Sequence, residues 1–334
     1  MLILKGNKLA VLNYLQQGEF VSGEWLGLQL GISRAAVAKH IQSLQELGLD
    51  IFKVTGKGYR LNTAFELLNQ QRIEQYYKAQ SEGVAQFELF PVIDSTNSEL
   101  MRRIQSGQLP DSGTVVVSES QTAGRGRRGR QWQSPFGSNL YFSYYWLLDD
   151  GLQAAMGVSI AVGLAVYDAL KALYQIDVQL KWPNDILVHE QKLAGVLVEL
   201  DGQPDGPCHL VIGIGLNLNM PVTASANIDQ AWTDLALLGC EVDKSKLVAV
   251  LTHCLEQRLK QYRQSGLDEM HQQWNQVHAF QGQRVNLITG LRSWQGICEG
   301  IDPQGGIKIR QNGEVKSYFG GEISLRKVVD DFTY

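Results

Sequence analysis

The chain has 334 residues, 44% of them hydrophobic and 19% charged. At roughly 150 residues per domain this suggests about two domains, with ample core material, and excludes a mostly disordered chain. The formal net charge is −4, unevenly spread: residues 1–62 hold seven Lys/Arg against four Asp/Glu, a +3 head, so the remainder carries −7.

Apolar residues recur at helical spacing from Lys8 to Leu15. Ser22 is placed to cap a second helix, with Glu24 near its positive dipole end and Gly31 to stop it. Ser33 caps a third helix that runs to Leu47, with Val37, Ile41, Leu44 and Leu47 on its inner face and Gly48 closing it. Two helices joined by Gly31-Ile32-Ser33 make a helix-turn-helix pattern. Asp50–Val54 and Tyr59–Leu61, joined by Thr55-Gly56-Lys57-Gly58, read as a hairpin wing with a basic tip. Ser33, Arg34, Ala35, Lys39, His40 and Lys57 are the candidate DNA contacts. Small Ala35 allows close approach to a groove, and Arg34 and Lys39 reach phosphates or a guanine edge. A three-helix module for protein contacts is the alternative reading. Helix-turn-helix proteins usually bind a two-fold site as dimers, and these residues alone show no partner.

Residues Ala64–Tyr77 read as a connecting helix. From about Phe87, strand-like runs (Phe87–Ile93, Thr114–Ser118, Leu140–Trp146, Ile186–Val188, Ala194–Leu200, Leu210–Ile214) alternate with helical ones (Ser98–Gln105, Ala154–Tyr174, Lys246–Arg263), a mixed α/β body. From about Gly282 short strands follow, with Asn312-Gly313 as a hairpin turn, suggesting a small barrel-like β tail. The expected boundaries are 1–63 for the head, 64–86 for a linker, 87–281 for the body and 282–334 for the tail. The overall class is α+β. Cys208, Cys240, Cys254 and Cys298 show no CxxC or zinc-like spacing, so reduced buried thiols are expected. The N-terminus has no signal-peptide pattern, and the apolar stretch Ala154–Tyr167 is too short for a bilayer span. A soluble cytoplasmic protein with no membrane partner is expected.

Five motifs carry chemistry. Gly124-Arg125-Gly126-Arg127-Arg128-Gly129-Arg130 packs four guanidiniums among three glycines and reads as a flexible anion-binding loop. It is no Walker loop, since no Lys-Ser/Thr follows the last glycine. An RNA-binding Arg-Gly segment or a solvated loop are the competing readings. Lys181-Trp182-Pro183-Asn184-Asp185 and Lys192-Leu193-Ala194-Gly195 offer two lysines for phosphate and Asp185 for magnesium, or else a solvated surface turn. Gly213-Ile214-Gly215-Leu216-Asn217 has only two of the three glycines of a dinucleotide fingerprint. Asp94-Ser95-Thr96-Asn97 suits a helix cap or a polar ligand. No nucleophilic triad and no HExxH pattern is evident.

Taken together and in order, with Gly321-Glu322-Ile323-Ser324-Leu325-Arg326 at the end, these motifs closely resemble the bifunctional biotin–protein ligases that are also biotin-operon repressors. Ser33-Arg34-Ala35-Ala36 and Gly56-Lys57-Gly58-Tyr59 match the repressor type. The resemblance implies a winged helix-turn-helix head, a class II synthetase-like body and an SH3-like β-barrel tail. It implies formation of biotinyl-5′-AMP from biotin and ATP, with Mg2+ as activator. It implies biotin transfer to a lysine of the biotin carboxyl carrier protein of acetyl-CoA carboxylase. It also implies adenylate-dependent homodimerisation on operator DNA.

By the same match, Lys192 and Arg127 are the expected catalytic cations. Ser95, Thr96, Asn97, Gln121, Arg125, Gly126, Arg127 and Lys192 would bind biotin. Arg127, Arg128, Arg130, Trp132, Lys181, Asn217, Trp232 and Arg326 would serve ATP or the adenylate, and Asp185 would hold magnesium. Two rivals remain: a biotin-responsive repressor without catalysis, and a ligase for lipoate or another acyl-adenylate.

Overall fold

The computed structural model describes residues 6–16, 18–61, 66–149, 151, 155–203, 206–221, 224, 228–290, 292–320 and 323–328. The head consists of α1 (Asn7–Leu15), α2 (Gly23–Leu30), α3 (Arg34–Glu46) and the hairpin β1 (Ile51–Val54) with β2 (Gly58–Leu61). The expected caps form: Ser22 Oγ accepts from Glu24 N at 3.3 Å, and Ser33 Oγ from Ala36 N at 3.2 Å. Gly58 adopts φ 107°, and a Cβ there would lie 2.2 Å from the Val21 carbonyl, so only glycine lets the wing close on the turn before α2. Val37, Ile41 and Leu44 of α3 pack with Leu12, Leu26, Tyr59 and Leu61 in one small core, joined by Phe136 of the body.

The expected connecting helix is shorter than the sequence suggests. Ala64 lies outside the described residues, and α4 spans Gln70–Lys78 with Asn69 as its cap (Oδ1 accepts from Arg72 N at 3.0 Å). Capping by Asn69 directs the preceding residues into extended backbone. Leu68 N bonds Glu119 Oε1 at 2.5 Å, and Asn69 N bonds Ser245 Oγ at 3.1 Å. Ile73 and Tyr77 of α4 are buried in the body's core, and Arg72 pairs with Asp243 at 2.7 Å. This helix therefore packs as part of the body.

The body holds seven strands: β3 (Gln86–Phe90), β4 (Thr114–Ser118), β5 (Asn139–Leu148), β6 (Gln179–Lys181), β7 (Asp185–Val188), β8 (Gln191–Gly202) and β9 (Cys208–Asn217). They form one sheet in the order β3-β4-β5-β9-β8-β7-β6, parallel between β3 and β4 and antiparallel elsewhere. β3 ends at Phe90, not Ile93, and β6 was not foreseen. Strand alternation divides the core: Val115 and Val117 face one layer, Val116 the other. The first layer holds α6 (Val158–Tyr174) and α7 (Lys244–Ser265). The second holds α5 (Thr96–Gln105) through Leu100 and Ile104. Ala154, the expected start of α6, lies outside the described residues. A short α8 (Met270–Gln276) leads to the tail.

The tail is an antiparallel sheet of β10 (Arg284–Thr289), β11 (Arg292–Ile301), β12 (Ile307–Gln311), β13 (Glu314–Tyr318) and β14 (Ile323–Lys327), in the order β13-β12-β11-β10-β14. Asn312 and Gly313 both have positive φ, as a two-residue hairpin turn requires. The Gly321–Arg326 motif contributes Ile323–Arg326 to β14, and its Gly321 and Glu322 lie outside the described residues. The tail's Val285, Leu287, Ile307 and Leu325 join the main core. All four cysteines are free, and no described helix is long and apolar enough to cross a membrane.

Candidate active site

One cavity of about 650 Å³ opens over the β5, β9 and β8 region of the sheet, beneath the Arg-Gly loop and against β14. Of the expected ligand residues, Ser95, Thr96, Asn97, Gln121, Arg125–Arg128, Arg130, Trp132, Lys181, Asp185, Lys192 and Arg326 all line it. Asn217 and Trp232 do not. Asn217 is buried, its Nδ2 donating to Lys192 O at 3.3 Å and Thr233 O at 3.0 Å. Trp232 pairs by backbone with Lys192. Both therefore fix the strand that carries Lys192 from outside the cavity.

One end of the cavity is neutral and hydrogen-bonding. Ser95 caps α5 (Oγ accepts from Ser98 N at 3.3 Å) and so places Thr96 and Asn97 at the cavity wall. Thr96 N donates to Gln121 Oε1 at 2.8 Å. Ser143 Oγ reaches Thr96 Oγ1 at 2.7 Å and Asn97 Oδ1 at 2.5 Å. Asn97 Nδ2 donates to Leu197 O at 3.2 Å and Glu199 Oε2 at 2.8 Å. The Gly213-Ile214-Gly215 segment serves this wall and not a dinucleotide. A Cβ at Gly213 would lie 2.3 Å from Asn97 Oδ1, and one at Gly215 2.4 Å from the Trp132 ring. These glycines are the room in which Asn97 and Trp132 sit.

The other end is cationic. Lys192 Nζ lies 2.6 Å from Asp185 and 5.4 Å from the Trp132 ring centroid. Lys181 Nζ is 3.7 Å from the same carboxylate, so Asp185 sits between two ammoniums. Burial lowers the Lys181 pKa; Asp185 opposes that shift, while Lys192 and Arg326 add to it. Arg127 Nη1 donates to Asn184 Oδ1 at 2.8 Å, and desolvation lowers its pKa too. The Trp182–Pro183 peptide is cis, and Trp182 Nε1 donates to Gly305 O at 3.0 Å, tying this segment to the tail. Lys327 pairs with Glu190 across the same seam.

The Arg-Gly segment is folded back on itself. Gly126 N bonds Arg130 O at 2.7 Å, Trp132 N bonds Gly124 O at 3.0 Å, and Arg128 turns the chain with φ 60°. Arg125 Nη2 pairs with Glu199 Oε2 at 2.7 Å. Glu199 and Ser143 carried no sequence signal, because each acts only through partners far along the chain. Asn184 stood in a quoted motif without a role.

In the head, Ser33, Arg34, Ala35, Lys39 and Lys57 are exposed, and His40 is partly buried. Burial, and after it nearby Lys8, lower the His40 pKa. Lys57 and Arg60 lie over the Phe20 ring, at 5.7 and 4.8 Å, which orients the wing's cations.

Residues 89–217 match the Biotin/lipoate A/B protein ligase family, residues 7–60 an HTH domain, and residues 280–326 the Biotin protein ligase C terminal domain. The chain is 44% identical over 95% of its length to the bifunctional ligase/repressor BirA of Salmonella typhimurium, covering 97% of that protein. It is 29% identical to the Bacillus subtilis protein of the same description, over 92% of this chain and 94% of that one. A solved structure, the biotin protein ligase from Aquifex aeolicus in complex with biotin and ATP, superposes with a TM-score of 0.62 at 28% identity. The match covers 73% of this chain and 100% of that one.

Proposed function

The chain belongs to the bifunctional biotin ligase/repressor family, and on that footing we propose that its central cavity makes biotinyl-5′-AMP and its head binds operator DNA. The enzyme is a biotin–[acetyl-CoA-carboxylase] ligase and the chain is also a transcriptional repressor. The observation that supports the division of roles is the cavity's polarity. Neutral Ser95, Thr96, Asn97 and Gln121 stand at one end, and Arg127, Lys181, Lys192 and Arg326 at the other. Biotin has the same polarity, a neutral ring system and a carboxylate tail.

In the first half-reaction a biotin carboxylate oxygen attacks the α-phosphorus of ATP, the bond to the β-phosphate oxygen breaks, and pyrophosphate leaves. Lys192 and Arg127 offset the repulsion between the two anions, and Arg128, Arg130, Lys181 and Arg326 take the polyphosphate. In the second, a lysine amine of the biotin carboxyl carrier protein attacks the acyl carbon, the acyl–phosphate bond breaks, AMP leaves with the electron pair, and the amine sheds a proton. The folded Arg-Gly segment and Trp132 keep water from the anhydride.

The residues present do not build a magnesium cage. Asp185 is engaged by two lysines, and no group of three or more His, Cys, Asp or Glu among the described residues is placed to hold a metal ion. Magnesium enters with the nucleotide phosphates, as this ion commonly does. The adenylate acts as corepressor by promoting a homodimer. The stretch Val198–Gly202 of β8 has β9 on one side and, among the described residues, no strand on the other, an edge open to a second copy. The protein works in the cytoplasm, with its substrates and the operator.

ATP–pyrophosphate exchange tests the reading. Exchange is expected with biotin and absent with lipoate. Exchange with lipoate alone would reassign the substrate, and none with either acid, from folded protein, would overturn the ligase reading.

A further inference from the structure

Arg125 and Arg127 are two residues apart in one loop and are held at different places, Arg127 within the field of Asp185. Arg127 donates to a neutral acceptor, Asn184 Oδ1. Arg125 is paired with a formal carboxylate, Glu199 Oε2, at 2.7 Å. Glu199 projects from β8 behind two residues of the cavity wall, Arg125 and Asn97, and the same oxygen accepts from Asn97 Nδ2 at 2.8 Å. One carboxylate oxygen thus joins the sheet floor, the start of the α5 wall and the first arginine of the loop. Backbone bonds hold the base of the loop, Ala123 N to Asp94 O at 2.8 Å and Trp132 N to Gly124 O at 3.0 Å, while among the loop's side chains Arg127 reaches Asn184 and, at 3.5 Å, Ile323 O on β14. Glu199 is the side-chain attachment of the loop's first arginine, added to that backbone frame.

We propose that Glu199 is a positioning residue for the biotin ligase reaction, a tether that holds Arg125 and with it the Gly124–Gly126 edge of the loop over the neutral ring system of the ligand. Its charge is matched by Arg125, so the tether adds no net negative charge beside the neutral ring system. Glu199 and Arg125 side chains are 21% and 43% exposed. A pair so exposed contributes up to about 1 kcal/mol, or roughly fivefold. That scale suits a latch that must open to admit ligand and release product.

The inference rests on the ligase reading above, and two measurements keep the two apart. The first needs no ligand: limited trypsin digestion of the full chain, scored at Arg125–Arg130. Glu199→Ala is expected to be cut there about two- to fivefold faster than the parent, with Glu199→Gln intermediate. Cleavage in Glu199→Ala at the parent rate, with unchanged Tm, would overturn the tether. The second is kinetic: biotin KM and the rate of adenylate release are expected to rise several-fold in Glu199→Ala, with the change falling on biotin KM and not on kcat or ATP KM. In an Arg125→Ala background, Glu199→Ala is expected to add less than twofold. Additive effects would show that Glu199 acts otherwise than through Arg125 and would sink the proposal. If the parent shows no biotin-dependent exchange, the ligase reading fails instead, while the cleavage result still reports on the tether.

Discussion

Lys192 Nζ stands 2.6 Å from Asp185 and over the Trp132 ring, at the cationic end of the cavity. Replacing it with alanine removes a cation and leaves Asp185 facing the incoming anions with one ammonium fewer. The loss of one such preorganised group slows chemistry by about 10²- to 10³-fold. Lys192→Ala is therefore expected to lower the single-turnover rate of adenylate formation by that order; a rate within threefold of the parent would remove Lys192 from the chemistry. Lys181 makes a pH prediction. Burial lowers its pKa below the ordinary 10.5. The unfolded chain then binds that proton more tightly than the folded one. Charging Lys181 costs folding free energy below the folded pKa, and stability recovers as pH rises from there toward the ordinary lysine value. The charge proposed to meet phosphate is lost as pH rises through the folded pKa. Pyrophosphate exchange is expected to decline at lower pH than an ordinary lysine would dictate. Lys181→Arg should shift that alkaline limb upward, since arginine stays charged. An unmoved limb would assign the titration to another group. Lys192, Lys181 and the arginines were legible in the sequence because each lies in a compact motif. Glu199 was not, because its partners Asn97 and Arg125 lie 102 and 74 positions away and meet it only once β8 is in the sheet.

At the scale of elements, β9 shows how a weak motif acquires a role. Its two glycines were too few for a dinucleotide fingerprint, and the structure gives them a packing task beneath Trp132 and Asn97. A methyl at Gly215 would sit 2.4 Å from the Trp132 ring, and overpacking of this kind costs about 1–3 kcal/mol when neighbours must shift. Trp132 is the neighbour that must move, because the antiparallel ladders to β5 and β8 hold the backbone of β9. Gly215→Ala is expected to weaken biotin and adenylate binding about tenfold or more by calorimetry, with far-UV circular dichroism unchanged. Parent-like affinity would mean that Trp132 does not shape the ligand site. The α4 segment illustrates the opposite outcome. Leu67 and Leu68 extend the apolar pattern of the helix, so sequence spacing runs it back to Ala64. Asn69 is the better physical signal, a side chain that caps by taking the Arg72 amide. The Glu119 carboxylate that takes Leu68 N is 51 residues away and invisible to any local reading.

At the scale of the whole molecule, the +3 head and the more acidic body are distinct sites joined through a short segment and the Phe136 contact. Arg34 is exposed on α3, outside the core that unites the head. Arg34→Ala is expected to lower operator affinity by about 1–3 kcal/mol if it reads a base edge, or to flatten the salt dependence by about one unit if it meets a phosphate. Carrier biotinylation should stay at the parent rate; its loss in a folded variant would show that the head contributes to catalysis. A symmetric operator needs two heads, and the proposed docking edge is Val198–Gly202 of β8, which among the described residues pairs with β9 alone. Leu200 on that edge is 43% exposed, an apolar side chain where isolated edge strands usually carry charge. Edge pairing between two copies would cover it and extend the sheet from seven strands to a continuous pair. Solution mass by light scattering is expected to double when biotin and ATP are supplied together. Leu200→Lys should raise the dimer dissociation constant at least tenfold, because two like charges would then meet across the two-fold axis. An adenylate-loaded dimer that forms as readily with lysine as with leucine at this position would place the interface elsewhere on the body.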